Sequence, residues 1–143
     1  MLANPGTVAA GASHVAVVIP CFKVKDLVLS VIERVPPEVA SIHVVDDCCP
    51  QQTGLHVQSH CKDPRVRVVF HKENKGVGGA TISGYREALT VGATVVVKID
   101  GDGQMPLWLV PKLVQPLIDG TADYTKGNRF RDCLLYTSPS PRD

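Results

Sequence analysis

The sequence lacks a surplus of charge of either sign, and it lacks long hydrophobic runs. Its 143 residues include 15 Lys and Arg against 14 Asp and Glu, which gives a net charge of +1. A domain that binds nucleic acid needs a clear excess of Lys and Arg to neutralise phosphates, so we expect no nucleic-acid partner. The longest apolar stretches, 15–20 and 93–97, are far too short to span a bilayer.

A basic amino-terminal segment of the kind that begins a signal peptide is also missing. The first fourteen residues contain neither Lys nor Arg, and we interpret residues 1–13, which are small and polar, as a flexible leader. Without a secretion signal, Cys21, Cys48, Cys49 and Cys61 are expected to be reduced thiols in the cytoplasm. Hydrophobic residues make up 44% of the chain and charged residues 20%, a balance typical of one folded domain.

Short β-branched runs alternate with helix-like stretches along the chain. The predicted strands are 15–20, 42–45, 66–70, 94–99 and 122–126, and the predicted helices are 26–35, 53–62, 78–90 and 109–118. This alternation predicts an α/β fold with a mostly parallel, Rossmann-like sheet. Trp108 is expected to pack in its core. Ligands of such sheets bind at the carboxyl ends of the strands, which is where we expect a functional site.

Each of the first four predicted strands is followed by a polar segment. These segments are 20–23, 46–50, 71–79 and 100–104. Any single loop tends to be polar because loops lie at the surface. Four such segments at one edge of a parallel sheet are harder to explain in that way, and they predict a binding site.

The Asp100-Gly101-Asp102 step is the strongest single candidate site. In an extended backbone the two carboxylates lie on the same face, and with the amide oxygen of Gln104 they form a set of hard oxygen ligands suited to Mg²⁺ or Mn²⁺. A metal held there would neutralise the diphosphate of a sugar nucleotide. An ordinary surface turn is the alternative, because Asp-Gly pairs are common in turns. An EF-hand is excluded, since Met105 occupies the position of its invariant glycine.

A glycine cluster, Gly76, Gly78 and Gly79, lies at the start of the third predicted helix. It lacks the Gly-Lys-Ser/Thr ending of a Walker A motif, and Thr81 occupies the place of the third glycine of a dinucleotide-binding fingerprint. Two interpretations stay open. The glycines allow a nucleotide or phosphate to approach the backbone, or they let the helix pack tightly on the sheet.

Cysteine and histidine residues are concentrated in one short region. Cys48, Cys49, His56, His60 and Cys61 lie there, and the two histidines would share a helix face. Adjacent cysteines do not match the Cys-x-x-Cys spacing of structural zinc sites. Ordinary thiols are therefore the favoured interpretation, and a zinc site is the alternative.

The last eleven residues, 133–143, look foreign to the rest of the chain. Their sequence, CLLYTSPSPRD, matches one translated reading frame of a transposase-type sequencing-library adapter at every position. We therefore interpret 133–143 as an artefactual tail, and we expect the natural domain to occupy 14–132 and to continue beyond it.

Taken together, the strand-end motifs resemble those of family 2 glycosyltransferases with the GT-A fold. The resemblance is closest to dolichyl- or polyprenyl-phosphate sugar transferases and covers about 15–130. Its pieces are Val17-Val18-Ile19-Pro20, Val44-Val45-Asp46-Asp47, Asn74-Lys75-Gly76-Val77-Gly78-Gly79-Ala80, Asp100-Gly101-Asp102-Gly103-Gln104 and Lys126-Gly127-Asn128-Arg129-Phe130. It implies a domain that binds a GDP- or UDP-sugar and transfers the sugar, with inversion, to an acceptor such as a lipid phosphate.

The same resemblance implies roles for individual residues. Pro20 and Phe22 would border the nucleotide base, and Asp46 or Asp47 would accept hydrogen bonds from the base or ribose. The other implied contacts are Gly78 to the nucleotide, Lys126 and Arg129 to phosphates, and Asp100, Asp102 and Gln104 to a Mg²⁺ or Mn²⁺ ion. The implied location is the cytoplasm, or the cytoplasmic face of a membrane for the longer protein.

Several positions depart from the family pattern. Lys23 and Val24 replace the usual Asn-Glu, and Cys48 and Cys49 replace Gly-Ser, which predicts a different bend in that loop. The acceptor-binding half of the family, with any catalytic base or membrane helix, is expected beyond Arg131. We therefore expect little or no transferase activity from the 143-residue chain. Two other functions stay open: a non-catalytic nucleotide-binding module and a zinc-stabilised interaction domain.

Overall fold

The computed structural model describes residues 14–101, 107–118, 124–128 and 134–138. The strands are β1 (Val15–Cys21), β2 (Ser41–Asp46), β3 (Val66–Phe70), β4 (Val95–Lys98), β5 (Tyr124–Asn128) and β6 (Leu134–Ser138), and the helices are α1 (Lys25–Glu33), α2 (Thr53–His60), α3 (Gly76–Thr90) and α4 (Val110–Ile118). A 3₁₀ turn, Leu107–Leu109, leads into α4. The predicted alternation of strands and helices is confirmed.

The strands β1 to β4 form one sheet in the order β3-β2-β1-β4, and all neighbouring pairs are parallel. The chain builds outward from β1 through β2 to β3 and then crosses to the other side of β1 to add β4. This change of direction creates a switch point between β1 and β4, the kind of position at which open parallel sheets bind ligands. The predicted α/β class is therefore confirmed.

The central strand β1 is buried on both faces. Val15, Val17 and Ile19 belong to the core formed with α1, α2 and α4, whereas Ala16 and Val18 pack toward α3. Its continuous run of mainly β-branched residues is the pattern of a strand covered on both sides. The result is a three-layer arrangement with helices on both faces of the sheet.

Helix α3 lies close to β1 because its inner face carries small residues. Ala80, Gly84 and Ala88 recur every four residues and are buried. A Cβ atom at Gly84 would lie 2.3 Å from Cγ1 of Val18, so a side chain does not fit at this crossing. Gly92, just past the end of the helix as predicted, has a φ of 87°, which glycine adopts without strain.

Several element bounds differ from the expectation by one or two residues, and one side chain is placed differently. Helix α3 begins at Gly76 rather than two residues later. Trp108 is 59% exposed, and the Nζ atom of Lys112 lies 5.5 Å from its ring centroid, so the prediction that this side chain packs in the core is wrong. The buried positions here are Leu107, Val110 and Val114, and Trp108 lies off this helical stripe.

Strands β5 and β6 pair in antiparallel fashion. β6 falls within 133–143, the segment interpreted above as an artefactual tail, and the boundary at residue 132 stays a prediction. The leader expected at 1–13 lies outside the described residues. Across the ranges that the structure describes, no helix has both the length and the apolar character needed to cross a membrane.

Candidate functional site

The loops that follow β1, β2, β3 and β4 meet at one edge of the sheet, because neighbouring parallel strands end side by side. Main-chain hydrogen bonds join these loops. The N–H of Asp47 donates to the carbonyl oxygen of Cys21 (3.1 Å), and the N–H of His71 donates to that of Asp46 (2.9 Å). The described parts of the four polar segments therefore share the carboxyl edge of the sheet.

The backbone of two of these loops is strained. Lys23, after β1, and Cys48 and Gln52, after β2, have φ angles of 59°, 57° and 55°, in the left-handed region that favours glycine. They are the non-glycine residues with positive φ in the described part of the chain. Strain of this kind clusters at functional sites, where the surrounding structure holds it in place. Its location supports a functional role for the carboxyl edge.

Asp46 is a buried carboxylate that organises the loop after β2. Its Oδ1 accepts the N–H of Cys49 (2.7 Å), and its Oδ2 accepts the N–H of Gly54 (2.7 Å). A Cβ atom at Gly54 would lie 2.6 Å from the ring of Phe70 and 2.9 Å from Asp46, so the close approach requires glycine. Both oxygens of Asp46 are thus bound to main-chain donors at the start of α2.

Asp47 is also buried, but a side chain takes part in holding it. Its Oδ1 lies 2.8 Å from Nδ1 of His71 and accepts the N–H of Lys75 at 2.7 Å. The side-chain amide of Asn74 donates to the carbonyl oxygen of Asp47 at 3.3 Å. Burial raises the pKa of this carboxyl, but hydrogen bonds from His71 and from main-chain N–H groups outweigh burial, so its pKa lies below the ordinary value. Asp47 is therefore ionised at neutral pH.

Pro20 and Phe22 lie where β1 passes into its loop. Pro20 is partly buried and in register with Val45 of β2. The side chain of Phe22 is 42% exposed, and Nζ of Lys23 lies 5.4 Å from its ring centroid. An exposed aromatic ring is a surface on which a planar group can stack. Both residues are at the carboxyl edge, and their contact with a nucleotide base stays a prediction.

Asp100 follows β4 at the switch point, and its side chain is 51% exposed. Its Oδ1 lies 3.2 Å from Nζ of Lys98. The next residue, Gly101, is buried: a Cβ atom there would lie 3.0 Å from Cγ2 of Val24 and 3.5 Å from Cγ2 of Ile19. The turn after β4 therefore rests directly on the end of β1. An accessible carboxylate at this point is a ligand that fits Mg²⁺ or Mn²⁺.

Three of the predicted site residues lie outside the described residues. They are Asp102 and Gln104, the other two expected metal ligands, and Arg129, which is expected near the phosphates. Lys126 lies in β5, where the main chain alone is described. The roles of these four residues stay predictions.

The glycines at the start of α3 have distinct structural reasons. Gly76 has a φ of 78°, which favours glycine. A Cβ atom at Gly79 would lie 2.6 Å from that of Lys75, whereas one at the exposed Gly78 would meet no described atom within 4 Å. Tight packing of the helix on the sheet was one of the two interpretations of this cluster. It applies to Gly84, further along α3, but it does not explain Gly78. The main chain at Gly78 is open to an approaching ligand.

The cysteines and histidines between Cys48 and Cys61, all of them described, do not group as the zinc alternative requires. Among the described residues, no three His, Cys, Asp or Glu side chains are placed to hold a metal ion. Sγ of Cys49 accepts the N–H of Lys23 (3.0 Å) and lies 3.1 Å from Oγ1 of Thr53. Burial raises the pKa of this thiol, but hydrogen bonds from Thr53 and main-chain N–H groups bring the pKa below its ordinary value. Cys49 thus links the loops after β1 and β2.

His71 and Ser83 are part of this edge, and no sequence motif marks them. Nε2 of His71 lies 2.7 Å from Oγ of Ser83, while Nδ1 faces Asp47. These three residues are far apart in sequence, and the order of the strands and the docking of α3 bring them together. The one hint in the sequence is that His71 directly follows a predicted strand, which places it at the same edge of the sheet as Asp46 and Asp47.

A parallel sheet with these motifs along its carboxyl edge defines the GT-A class of α/β proteins. The model of the family "Glycosyl transferase family 2" matches residues 16–137, which is most of the chain. The chain belongs to glycosyl transferase family 2.

Named relatives and a solved structure agree with this assignment. The UDP-N-acetylglucosamine–dolichyl-phosphate N-acetylglucosaminyltransferase of Methanococcus voltae is 40% identical over 68 residues, covering 48% of this chain and 27% of the relative. The dolichol-phosphate mannosyltransferase of Pyrococcus furiosus is 28% identical over 131 residues, covering 85% and 36%. The fold matches glucosyl-3-phosphoglycerate synthase from Mycobacterium tuberculosis, crystallised with Mn²⁺, UDP and glucosyl-3-phosphoglycerate, with a TM-score of 0.59 at 24% identity over 80% of this chain and 44% of that chain. The curated relatives are longer, and the chain spans 27% to 50% of their lengths.

Proposed function

We propose that this domain binds a nucleoside-diphosphate sugar at the carboxyl edge of its sheet, and that the protein transfers the sugar to an acceptor with inversion. The observation that supports the proposal is that the loops after β1 to β4 share one edge of the sheet, so that Phe22, Asp47 and Asp100 follow neighbouring strands at that edge. Membership of glycosyl transferase family 2 supports the same reaction class.

The base and ribose would be bordered by Pro20 and Phe22 and would meet an acidic side chain after β2. Asp47 is the better candidate than Asp46, because main-chain N–H groups bind both oxygens of Asp46, whereas the hydrogen bonds from His71 and Lys75 both reach Oδ1 of Asp47. An ionised carboxylate accepts hydrogen bonds from the N–H of a base or the O–H of a ribose. Uracil and guanine both carry such N–H donors, so UDP- and GDP-sugars are both candidate substrates.

The diphosphate would be neutralised at the end of β4. Asp100, with Asp102 and Gln104, would hold a Mg²⁺ or Mn²⁺ ion, which when bound would stabilise the charge of the nucleoside-diphosphate leaving group. The structurally similar synthase crystallised with Mn²⁺ and UDP supports a divalent ion in this fold. The open main chain at Gly78, near the start of α3, and the side chain of Arg129 would offer further donors to the nucleotide.

We propose a dolichyl or polyprenyl phosphate as the acceptor. Three of the relatives are named as sugar transferases of dolichyl or undecaprenyl phosphate. A lipid phosphate is already anionic, so its attack on the sugar depends less on a protein base than on the management of charge around the reacting groups. The enzyme would then act in the cytoplasm, at the cytoplasmic face of the membrane that holds the lipid.

The chain alone would bind the nucleotide sugar and transfer little of it. It spans at most half the length of the curated relatives, and the acceptor-binding part and any catalytic base are proposed to lie in the remainder. Sugar transfer should therefore be measured on a longer form of the protein. Turnover by that form would distinguish a transferase from a non-catalytic nucleotide-binding module.

Calorimetric titration of UDP, GDP and their sugars into the chain tests the proposed site. We expect saturable binding that tightens when Mn²⁺ is added, and a loss of affinity of about tenfold or more in Asp102→Ala. Glu38→Ala removes an exposed carboxylate in the loop before β2, at the opposite edge of the sheet, and should bind like the unmodified chain. A folded chain that binds neither nucleotide would contradict the proposal.

A further inference from the structure

His71 is a buried histidine at the carboxyl edge that links the loop after β2 to α3. Its Nδ1 lies 2.8 Å from Oδ1 of Asp47, and its Nε2 lies 2.7 Å from Oγ of Ser83. The side chains of His71 and Asp47 are 6% and 4% exposed, so water competes little for the hydrogen bond between them. Three separate elements are therefore joined through one imidazole ring.

The direction of these hydrogen bonds follows from the charge of Asp47. An ionised carboxylate accepts hydrogen bonds and donates none, so the proton of the first bond is on Nδ1 of His71. A neutral imidazole then has its acceptor at Nε2, and the hydroxyl of Ser83 donates to it; a protonated imidazole donates from both nitrogens. In either state Ser83 occupies Nε2, and the Nδ1–H group points at Asp47.

The start of α3 holds the same carboxylate from a second direction. Oδ1 of Asp47 accepts the N–H of Lys75, which directly precedes α3 and the open main chain around Gly78. The main chain of Asp47 is held in turn by Asn74. One carboxylate oxygen thus joins the loop proposed to contact the base or ribose to the helix start proposed to contact the nucleotide.

We infer that His71 is a positioning residue for nucleotide recognition, and that Ser83, through its hydrogen bond to Nε2, holds the ring with Nδ1 toward Asp47. The inference rests on the proposed function, because it assumes that Asp47 contacts the base or ribose. A carboxylate that is oriented before the ligand arrives loses less conformational freedom on binding. Without the donor on His71, Asp47 would lose a charge-assisted hydrogen bond that fixes this orientation.

Calorimetric titration of UDP and of GDP with Mg²⁺ tests the inference with matched variants. His71→Ala removes the donor and should weaken binding by about ten- to a hundredfold. His71→Asn places an amide N–H near the position of Nδ1 and should stay within about threefold of the unmodified chain, whereas His71→Gln places its amide near Nε2 and should bind as weakly as His71→Ala. Ser83→Ala should give an intermediate loss, and Ser59→Ala, at an exposed serine of α2, should give none.

The protonation of the ring supplies a readout that is independent of nucleotide. In the unmodified chain labelled with ¹⁵N-histidine, magnetic resonance should find the proton of neutral His71 on Nδ1, and the same tautomer should persist in Ser83→Ala because Asp47 fixes it. A neutral His71 protonated at Nε2 would overturn the inference. Equal losses of affinity in His71→Ala and His71→Asn would also overturn it, because they would indicate a merely structural role.

The outcomes separate this inference from the function on which it rests. A folded, unmodified chain that binds neither nucleotide contradicts the proposed function and the inference with it. A chain that binds nucleotide with the same affinity when His71 is replaced by Ala contradicts the inference alone.

Discussion

The two edges of the parallel sheet are built in opposite ways. At the carboxyl edge, non-glycine residues adopt left-handed backbone angles, and the ionisable side chains of Asp47, His71 and Asp100 lie after neighbouring strands. At the amino edge, regular main-chain hydrogen bonds join the strand ends, as in the bond from the N–H of Ala40 to the carbonyl oxygen of Val15 (2.8 Å). The carboxyl edge therefore combines strained backbone with ionisable side chains, which favours ligand binding, while the contacts at the amino edge stabilise the fold.

A histidine in contact with a serine occurs at both edges, but the second ring nitrogen has different surroundings in the two cases. His71 contacts Ser83 through Nε2 and a carboxylate through Nδ1. His43, near the amino edge, also contacts a serine through Nε2, with Oγ of Ser41 at 2.8 Å, but its buried Nδ1 finds no hydrogen-bond partner among the described residues. A nearby carboxylate thus makes the difference between a histidine suited to positioning and one that is merely buried.

Arg65 gives the largest expected effect at the amino edge. Its guanidinium donates to the carbonyl oxygens of Val35, Pro36 and Val39 and pairs with Asp63 at 2.8 Å. Arg65→Ala should lower the free energy of unfolding by about 2–4 kcal/mol, because several acceptors lose a charged donor. The affinity of the folded variant for nucleotide should not change. Urea denaturation measures the first quantity and calorimetric titration the second.

Arg67→Ala is the matched control, because Arg67 is an exposed arginine two residues further along the chain, in β3. Its effect on the free energy of unfolding should stay within about 0.5 kcal/mol. A selective loss of nucleotide binding in Arg65→Ala would show that the two edges do not have separate roles.

Alanine substitutions at two glycines of α3 should have the next largest effects on the free energy of unfolding, and the two effects should have opposite signs. Gly84→Ala should lower the free energy of unfolding by about 1–3 kcal/mol, because the added methyl group meets Val18. Gly78→Ala places its methyl group in open space and should raise the free energy of unfolding by up to about 1 kcal/mol through helix propensity. It should also weaken nucleotide binding. Equal destabilisation in thermal denaturation of the two variants would contradict this assignment.

The buried His43 should make stability depend on pH. Burial is the main cause that lowers the pKa of His43, since the charged ring cannot be hydrated there. The unfolded chain therefore binds this proton more readily than the folded chain, so stability falls as the pH drops below the ordinary histidine value of about 6.5. We expect a lower urea midpoint at about pH 5.5 than at about pH 7.5, and a smaller difference in His43→Gln.

The carboxylates do not obscure this test. The lowered pKa values of Asp47 and Asp63 contribute stability that is lost only when the pH falls through those lowered values, in a more acidic range. The lowered pKa of His14, which is also caused by burial, acts in the same direction as that of His43. An unchanged pH dependence in His43→Gln would show that His43 is not its source.

Substitutions in the strained loop after β2 should have the smallest effects on the free energy of unfolding. Cys48 has a φ of 57°, so Cys48→Gly should relieve strain and raise the free energy of unfolding by up to about 1 kcal/mol. Cys49→Ser should be nearly neutral, because a hydroxyl can accept the same N–H donors. A decrease in the thermal midpoint of Cys48→Gly would mean that the cysteine side chain supports this loop.

The sequence predicts the strands and the edge that carries the site, and packing decides the rest. β1 and β3 follow from β-branched runs, and the convergence of the polar loops follows from a parallel sheet. The different roles of Asp46 and Asp47 were not predictable, because two identical neighbouring side chains are distinguished only by which donors the folded loops present. The contact between His71 and Ser83 likewise depends on how closely α3 docks on β1.

Magnetic resonance of the ¹⁵N-labelled chain during titration with UDP or GDP and Mg²⁺ tests the central claim most directly. The nucleotide should shift the main-chain N–H signals of 21–25, 46–49, 71–79 and 100–101, at the carboxyl edge. It should leave those of 41–43 and 93–95, at the amino edge, in place. Shifts concentrated at the amino edge, or no shifts at all in a folded chain, would contradict the claim that the carboxyl edge is a nucleotide-binding site.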